Sequence, residues 1–358
     1  MKRVSQLDAV RGLAVLLVLV HNTDIYPSLH LGLIANNGWM GVDLFFVLSG
    51  FLITGILLQT KDSTSYFRNF YARRCLRIWP LYYSALLFMF VIVPALRPSE
   101  TNDIFGIRSG PWWAYPIFLQ NYLVRVPTEA TGLLAVTWSL GVEEQFYLIW
   151  PLVVRFCDEA KLRKIAVAVI CISPALRFYS TLNGVNIYSN PLCRLDGLMA
   201  GSLLALLIRS KNFAAARFVI PAWITLLVVA PLAIFLDMFN TRWLVFSLVA
   251  LASSAFVYLA LFSQQKQLQA VLSNRVLVYI GTISYGIYLL EKIPVDVVKA
   301  FHLESFPLLA FPITATVTVA MAALSWKVLE KPFLRLKRFF DGPRPSEIRT
   351  ADETVNVI

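Results

Sequence analysis

Two adjacent carboxylates, Glu143 and Glu144, stand inside TWSLGVEEQFYLIWP, Thr137 to Pro151, an aromatic and aliphatic run otherwise suited to lipid. A charge at the bilayer centre costs roughly 3 kcal/mol on insertion scales, so carboxylates there normally face a protein interior or a wet cavity. Something polar must lie opposite. The first hydrophobic stretch offers it, opening with Asp8 and Arg11 and reaching His21, Asn22 and Asp24. Imidazole titrates near neutral pH, so a neutral His21 can take a proton from a hydroxyl. Asp24, one helical turn on, or Glu143 across a pocket could orient its ring. The alternative for a lone intramembrane histidine is a structural hydrogen bond between helices.

A second group is basic. Arg73, Arg74 and Arg77 crowd the segment YFRNFYARRCLRIWPLYY, which begins at Tyr66. Guanidinium forks suit phosphate groups, which makes this a candidate dock for a phosphorylated donor. The competing explanation is orientation alone, since arginines gather at cytoplasmic helix ends. Between the two groups lies GWMGVDLFFVLSGFLITGILL, from Gly38, interrupted by Asp43, Ser49 and Gly50. Small residues permit close helix approach, and no GxSxG elbow marks Ser49 as a nucleophile.

The elements that must hold these residues are read from composition. The chain has 358 residues, 58% of them hydrophobic and 15% charged, far more apolar than a soluble domain. Windows of about 20 residues give ten candidate spans: 10–27, 38–58, 79–96, 133–154, 163–182, 191–208, 216–236, 243–262, 276–293 and 306–326. The expected fold is all-α, a polytopic bundle of about ten spans with both termini cytoplasmic. With that orientation 24 of the 32 Lys and Arg fall inside and 8 outside, as the positive-inside rule requires. The net charge of +11 is therefore topology, and no nucleic-acid partner is implied.

Lys2 and Arg3 before the first apolar run read as an uncleaved signal anchor. The four cysteines show no CxxC pair or disulfide framework. WWAYPIFLQNYL, from Trp112, is too short to span and reads as a re-entrant or interfacial piece. Arg194 and Asp196 are close enough to pair. Glu330 is expected to be a solvated interfacial charge, and the polar tail from Asp341 to be disordered. Residues 1–338 make one membrane domain and 339–358 a cytoplasmic tail.

The stretches LDAVRGLAVLLVLVH, GVDLFFVLSGFLIT, RRCLRIWPLYY, TWSLGVEEQFYLIWP, RLDGLMAG, ISYGIYLL and LEKPF, in this order from Leu7 to about Arg338, resemble the integral-membrane acyltransferase 3 family. The resemblance implies transfer of an acyl group, usually acetyl, from cytoplasmic acyl-CoA to a hydroxyl of a saccharide or lipid-linked glycan, in the bacterial inner membrane. It implies no permanently bound cofactor and no metal. Arg11 and His21 match the family's basic residue and histidine, and Arg74 and Arg77 its paired arginines. Arg11, Arg73, Arg74 and Arg77 are then the expected donor site, and His21, Glu143 and Asp24 the catalytic group. Ser49, Trp138, Ser139 and Tyr147 are expected to bind substrate. The family's extracellular hydrolase-like extension is not expected.

Two departures stand out against that pattern. The family usually has ten residues between the arginine and the histidine, whereas nine separate Arg11 from His21, which turns His21 about 80° from the Arg11 face and puts Asn22 in register. Either a π-bulge absorbs the difference or the pocket accepts both. Glu291 follows ISYGIYLL where many relatives have a histidine. A rival from another class is a transporter or flippase for a charged or lipid-linked substrate, because intramembrane Arg, His and Glu also mark substrate paths. Paired inverted repeats with broken helices would favour it, and the sequence shows none.

Overall fold

Helices occupy all ten apolar windows, and no strand occurs among the described residues. The computed structural model describes residues 4–23, 32–96, 111–123, 133–210, 213–239, 241–302 and 306–340. Its principal helices are α1 (Ser5–Asn22), α2 (Met40–Gln59), α3 (Tyr66–Leu87), α4 (Thr137–Phe156), α5 (Glu159–Leu182), α6 (Leu195–Ile208), α7 (Ala215–Asp237), α8 (Arg242–Phe262), α9 (Arg275–Thr282), α10 (Ser284–Leu290), α11 (Lys292–Ala300) and α12 (Pro307–Ser325). The tail from Asp341 lies outside the described residues.

Six helices are long and apolar enough to cross a membrane, and a seventh span results if α9, α10 and α11 count as one crossing bent by 59°. This is fewer than the ten expected. α1 and α4, at 18 and 20 residues, have spanning length but spend it on Arg11, His21, Glu143 and Glu144. α6 has only 14 residues.

Lipid as solvent shows in which helix is exposed. α7 is the most apolar of the six, yet only 11% of its spanning window is buried inside the protein, against 72% for α2. A protein folded in water would reverse that order. The chain is therefore a multi-pass membrane protein with α2 at its centre.

Close backbone approach positions α2. A Cβ at Gly50 would fall 1.8 Å from the Leu198 carbonyl oxygen, and one at Gly201 1.9 Å from that of Val47, so α2 and α6 touch through glycine. α1 packs on α2 and on α9. The C-terminal ends of α2 and α4 are tied by side chains: Arg155 donates to the Lys61 carbonyl, and Lys61 Nζ to that of Cys157 at 2.5 Å. Asp158 caps α5 by accepting from the Lys161 amide at 2.7 Å, which holds its carboxyl below the ordinary range.

The expected Arg194 to Asp196 pair is replaced by a crossed arrangement. Arg194 bonds Asp43 of α2 at 2.9 Å, and Arg177 of α5 bonds Asp196 at 2.9 Å. All four are buried, and Ser247 of α8 donates to Asp196 at 2.6 Å. Neighbouring positions in one turn face different helices, and tertiary packing decided the partners. Removing one member would strand a buried charge, which costs about 3–5 kcal/mol. The cluster makes Arg177 and Arg194 buried structural ions.

The short piece at 111–123 is not a span. It forms turns on α3 and α4 whose carbonyls are taken by side chains: Tyr82 donates to Tyr115, Tyr83 to Pro116, and Gln145 to Phe118, at 2.7–2.8 Å. Irregular backbone at membrane depth needs such partners.

Candidate active site

The helical period explains why the arginine segment aims inward. α3 begins well before the expected window at residue 79, because Tyr66, Phe70, Ile78 and Leu81 recur on one buried stripe. Arg74 and Arg77 fall on that stripe. Arg73, about 100° away, is exposed and lies off the cavity.

Five helices enclose a cavity of about 120 Å³. α1 contributes Arg11; α2 contributes Val42, Phe45, Phe46 and Ser49; α3 contributes Arg74, Arg77 and Ile78. α4 contributes Ser139, Leu140, Glu143 and Tyr147, and α10 contributes Ser284, Tyr285 and Tyr288. The Ser49 hydroxyl donates a short hydrogen bond to Glu143 Oε1. Ser139 Oγ and the Tyr288 hydroxyl lie 2.6 Å apart. Arg74 stands 5.6 Å over the Tyr147 ring and acts electrostatically on both Glu143 and Glu144. Arg11 bonds Asp8 at 3.0 Å. A guanidinium wall thus faces one carboxylate and its hydroxyl donor, with phenols on a third side.

Seven of the residues singled out in the sequence line this cavity: Arg11, Ser49, Arg74, Arg77, Ser139, Glu143 and Tyr147. Trp138 does not. It is buried against Phe46 at 6.0 Å, Tyr188 at 4.8 Å and the Arg194 guanidinium at 5.6 Å, inside the ion cluster. Glu144 also lies off the cavity, with one oxygen buried and unbonded. Asp24 falls outside the described residues.

Reasoning from sequence missed Ser284, Tyr285 and Tyr288. The signal was present in ISYGIYLL, where Tyr285 and Tyr288 are three apart and share a helix face. The chain bends at Ile283 just where it meets the cavity, and broken helices at membrane depth are tolerated at such places. Tyr285 fastens α10 to α3 by donating to the Ile78 carbonyl at 2.9 Å.

His21 stands ten residues beyond Arg11, about 15 Å along α1, and does not line the cavity. Its Nδ1 lies 2.7 Å from the Ala35 carbonyl oxygen. A carbonyl only accepts, so Nδ1 carries the hydrogen in this bond and a neutral ring keeps its lone pair on Nε2. The orienting group on Nδ1 is therefore backbone, not the carboxylate of Glu143. α1 is regular throughout, with no π-bulge, so the one-residue offset persists.

The two departures from the family pattern are partners. Asn22 Nδ2 donates a short bond to Glu291 Oε1, and Lys292 Nζ donates to the Asn22 carbonyl at 3.2 Å. Glu291 is fully buried and its other oxygen has no partner among the described residues. Asn22→Ala should therefore cost about 1–3 kcal/mol, the penalty for a buried acceptor left without its donor. Combining it with Glu291→Leu should cost less than the two single losses together. Thermal unfolding of the detergent-solubilised protein measures this, and strict additivity would show the two side chains to be independent.

Glu330 corrects another expectation. It is 1% exposed, not solvated, and one oxygen lacks a partner among the described residues. The π turn Trp326–Glu330 shifts the helical phase and carries this carboxylate against Gly286 and within electrostatic reach of Arg77.

The acyltransferase 3 family, described as an acyltransferase domain, matches residues 4–327. The chain belongs to that family. Relatives include a "Putative O-acetyltransferase" of Staphylococcus aureus (strain COL), 27% identical over 93% of this chain and 58% of the relative. A "Putative peptidoglycan O-acetyltransferase", YrhL, of Bacillus subtilis (strain 168) is 29% identical over 91% of this chain and 54% of its own length. O-acetyltransferase OatA of Staphylococcus aureus (strain NCTC 8325 / PS 47) is 25% identical over 93% and 57%. The chain spans little more than half the length of these relatives. No solved structure matches it.

Proposed function

We propose that the protein is a membrane O-acyltransferase that moves an acetyl group from cytoplasmic acyl-CoA to a hydroxyl of a cell-envelope saccharide. The observation that carries this reading is the Ser49 to Glu143 pair inside a cavity walled by Arg11, Arg74 and Arg77. The relatives' names supply the acetyl group and, for YrhL, peptidoglycan as the kind of acceptor. The helices in ten apolar windows and the 24-to-8 charge bias support ten crossings with both termini cytoplasmic, in a bacterial inner membrane.

In this reading the arginines hold the donor phosphates and the thioester arm passes through the cavity toward His21, which stands beyond it on α1. His21 Nε2, with Nδ1–H fixed by Ala35, removes the proton of the acceptor hydroxyl. The oxygen attacks the acetyl carbonyl, the C–O bond forms, the C–S bond breaks, and the leaving thiolate takes up the proton that His21 Nε2 accepted, which returns the ring to neutral. The arginine field stabilises the developing oxyanion. Ser49, Ser139 and Tyr147 line the space the acyl group enters. A transport reading would favour paired broken helices, and one bent crossing is present among the described residues.

Mass spectrometry of surface glycans from strains with and without the gene tests the function: the expected result is loss of acetyl increments on deletion. Unchanged glycans would remove the saccharide acceptor. Within the site, Glu143→Gln should reduce transfer more than Glu144→Gln, because only Glu143 lines the cavity and accepts from Ser49. Initial rates in isolated membranes decide this, and equal residual rates would remove the distinction.

A further inference from the structure

The last described segment folds back over the arginine helix. After α12 the π turn Trp326–Glu330 leads through Lys331–Arg335 into Leu336–Phe340, and all three pieces pack against α3. The Arg77 guanidinium stands 5.7 Å over the Trp326 ring, and that of Arg68 5.8 Å over the Phe340 ring. Between these fastenings lies Lys337.

Lys337 is half-buried, and the four charges that act on it most strongly are all arginines, Arg74, Arg77, Arg73 and Arg11. Each of three of these arginines also faces a carboxylate: Arg11 meets Asp8, Arg74 meets Glu143 and Glu144, and Arg77 meets Glu330. Lys337 makes no salt bridge among the described residues. Packing of Trp326 and Phe340 on α3 thus keeps a fifth cation beside the arginine cluster, where a bound anion would relieve the repulsion.

We propose that Lys337 is a further ligand for the phosphates of a polyanionic molecule, completing a dock with Arg74 and Arg77. The inference rests on the donor reading above and extends it to the chain's final segment. Arg74 and Arg77 also line the cavity, so a molecule whose phosphates rest on them has a path for a single acyl arm to Ser49 and Glu143. A diphosphate with one slender arm, as in acyl-CoA, fits this path better than a two-chain lipid headgroup of the same phosphate chemistry.

The test is isothermal titration of free coenzyme A into the full chain in phosphatidylcholine nanodiscs. Lys337→Gln should raise Kd by about tenfold, the effect of one charge-assisted phosphate contact. Lys337→Arg should recover most of the loss. Lys331→Gln, an exposed lysine on the same segment, should change nothing. Unchanged affinity in Lys337→Gln, with wild type binding normally, overturns the assignment of Lys337 alone. Absence of saturable binding by wild type overturns the donor reading and Lys337 with it. Should Lys337→Gln instead lose only phosphatidylglycerol, measured by native mass spectrometry, the dock is for a lipid headgroup and the proposal fails. Lys337→Arg keeps the charge and the packing, so a Gln variant that misfolds leaves the comparison of Kd between Arg and wild type; a tenfold loss there would also overturn a simple phosphate contact.

Discussion

Replacing Arg74 and Arg77 together with alanine is expected to raise the acyl-CoA concentration needed for half-maximal transfer by about 10²-fold or more. Each charge-assisted phosphate contact is worth about 1.5–3 kcal/mol, and two such losses multiply. The single variants separate the contributions. Arg77→Ala removes a cation that faces Trp326 and Glu330, away from the Ser49 to Glu143 pair. Arg74→Ala also strips Glu143 of its nearest positive field, so its maximal rate should fall as well. Lysine at either position should rescue part of the loss, since it keeps the charge but not the planar fork. Insertion and expression should survive, because both side chains lie on a stripe whose apolar members, Tyr66, Phe70, Ile78 and Leu81, stay in place. Fluorescence-detected size exclusion checks that point. Wild-type dependence on acyl-CoA in the double variant would mean that the arginines serve orientation only.

Local periodicity made part of this site legible and tertiary packing hid the rest. Arg74 and Arg77 could be read from the density of the basic cluster and from the resemblance, and the helical period explains why they, and not Arg73, line the cavity. Glu143 was separable from Glu144 only through resemblance, and the structure supplies the reason in the bond from Ser49, 94 positions away. Trp138 misled because a tryptophan beside a polar site reads equally as a cavity wall or as a cover for buried ions. Asp43 and Arg194 illustrate the limit: sequence offered Asp196 as the near neighbour, but the helix that packs against α6 through Gly50 and Gly201 brought a different carboxylate. Glu330 was misjudged for another reason, since a five-residue π turn changes which face a residue occupies and nothing in WKVLEKP announces it. The count of spans is lower by length and apolarity alone because in α1 and α4 function competes with hydropathy, their apolar character being diluted by Arg11, His21, Glu143 and Glu144.

The offset between Arg11 and His21 also changes what a histidine substitution can reveal. His21→Ala is expected to reduce transfer by about 10²–10⁴-fold, the usual cost of losing a general base. The ring is held by the Ala35 carbonyl at Nδ1, which leaves Nε2 as the proton acceptor, and the rest of the site is spared because His21 does not line the cavity. Coenzyme A affinity should therefore stay within about twofold of wild type while the rate collapses, a separation that a folding defect would not produce. Asn22→Ala is the necessary companion. Since Asn22 bonds Glu291, its loss should register mainly as reduced thermal stability, with transfer per folded molecule largely kept. The opposite pattern, a severe loss of transfer in Asn22→Ala and full transfer in a well-folded His21→Ala, would move the base to the cavity itself. Glu143 would then take the proton through Ser49, whose hydroxyl bonds it by a short contact, and Ser49→Ala would become the damaging substitution.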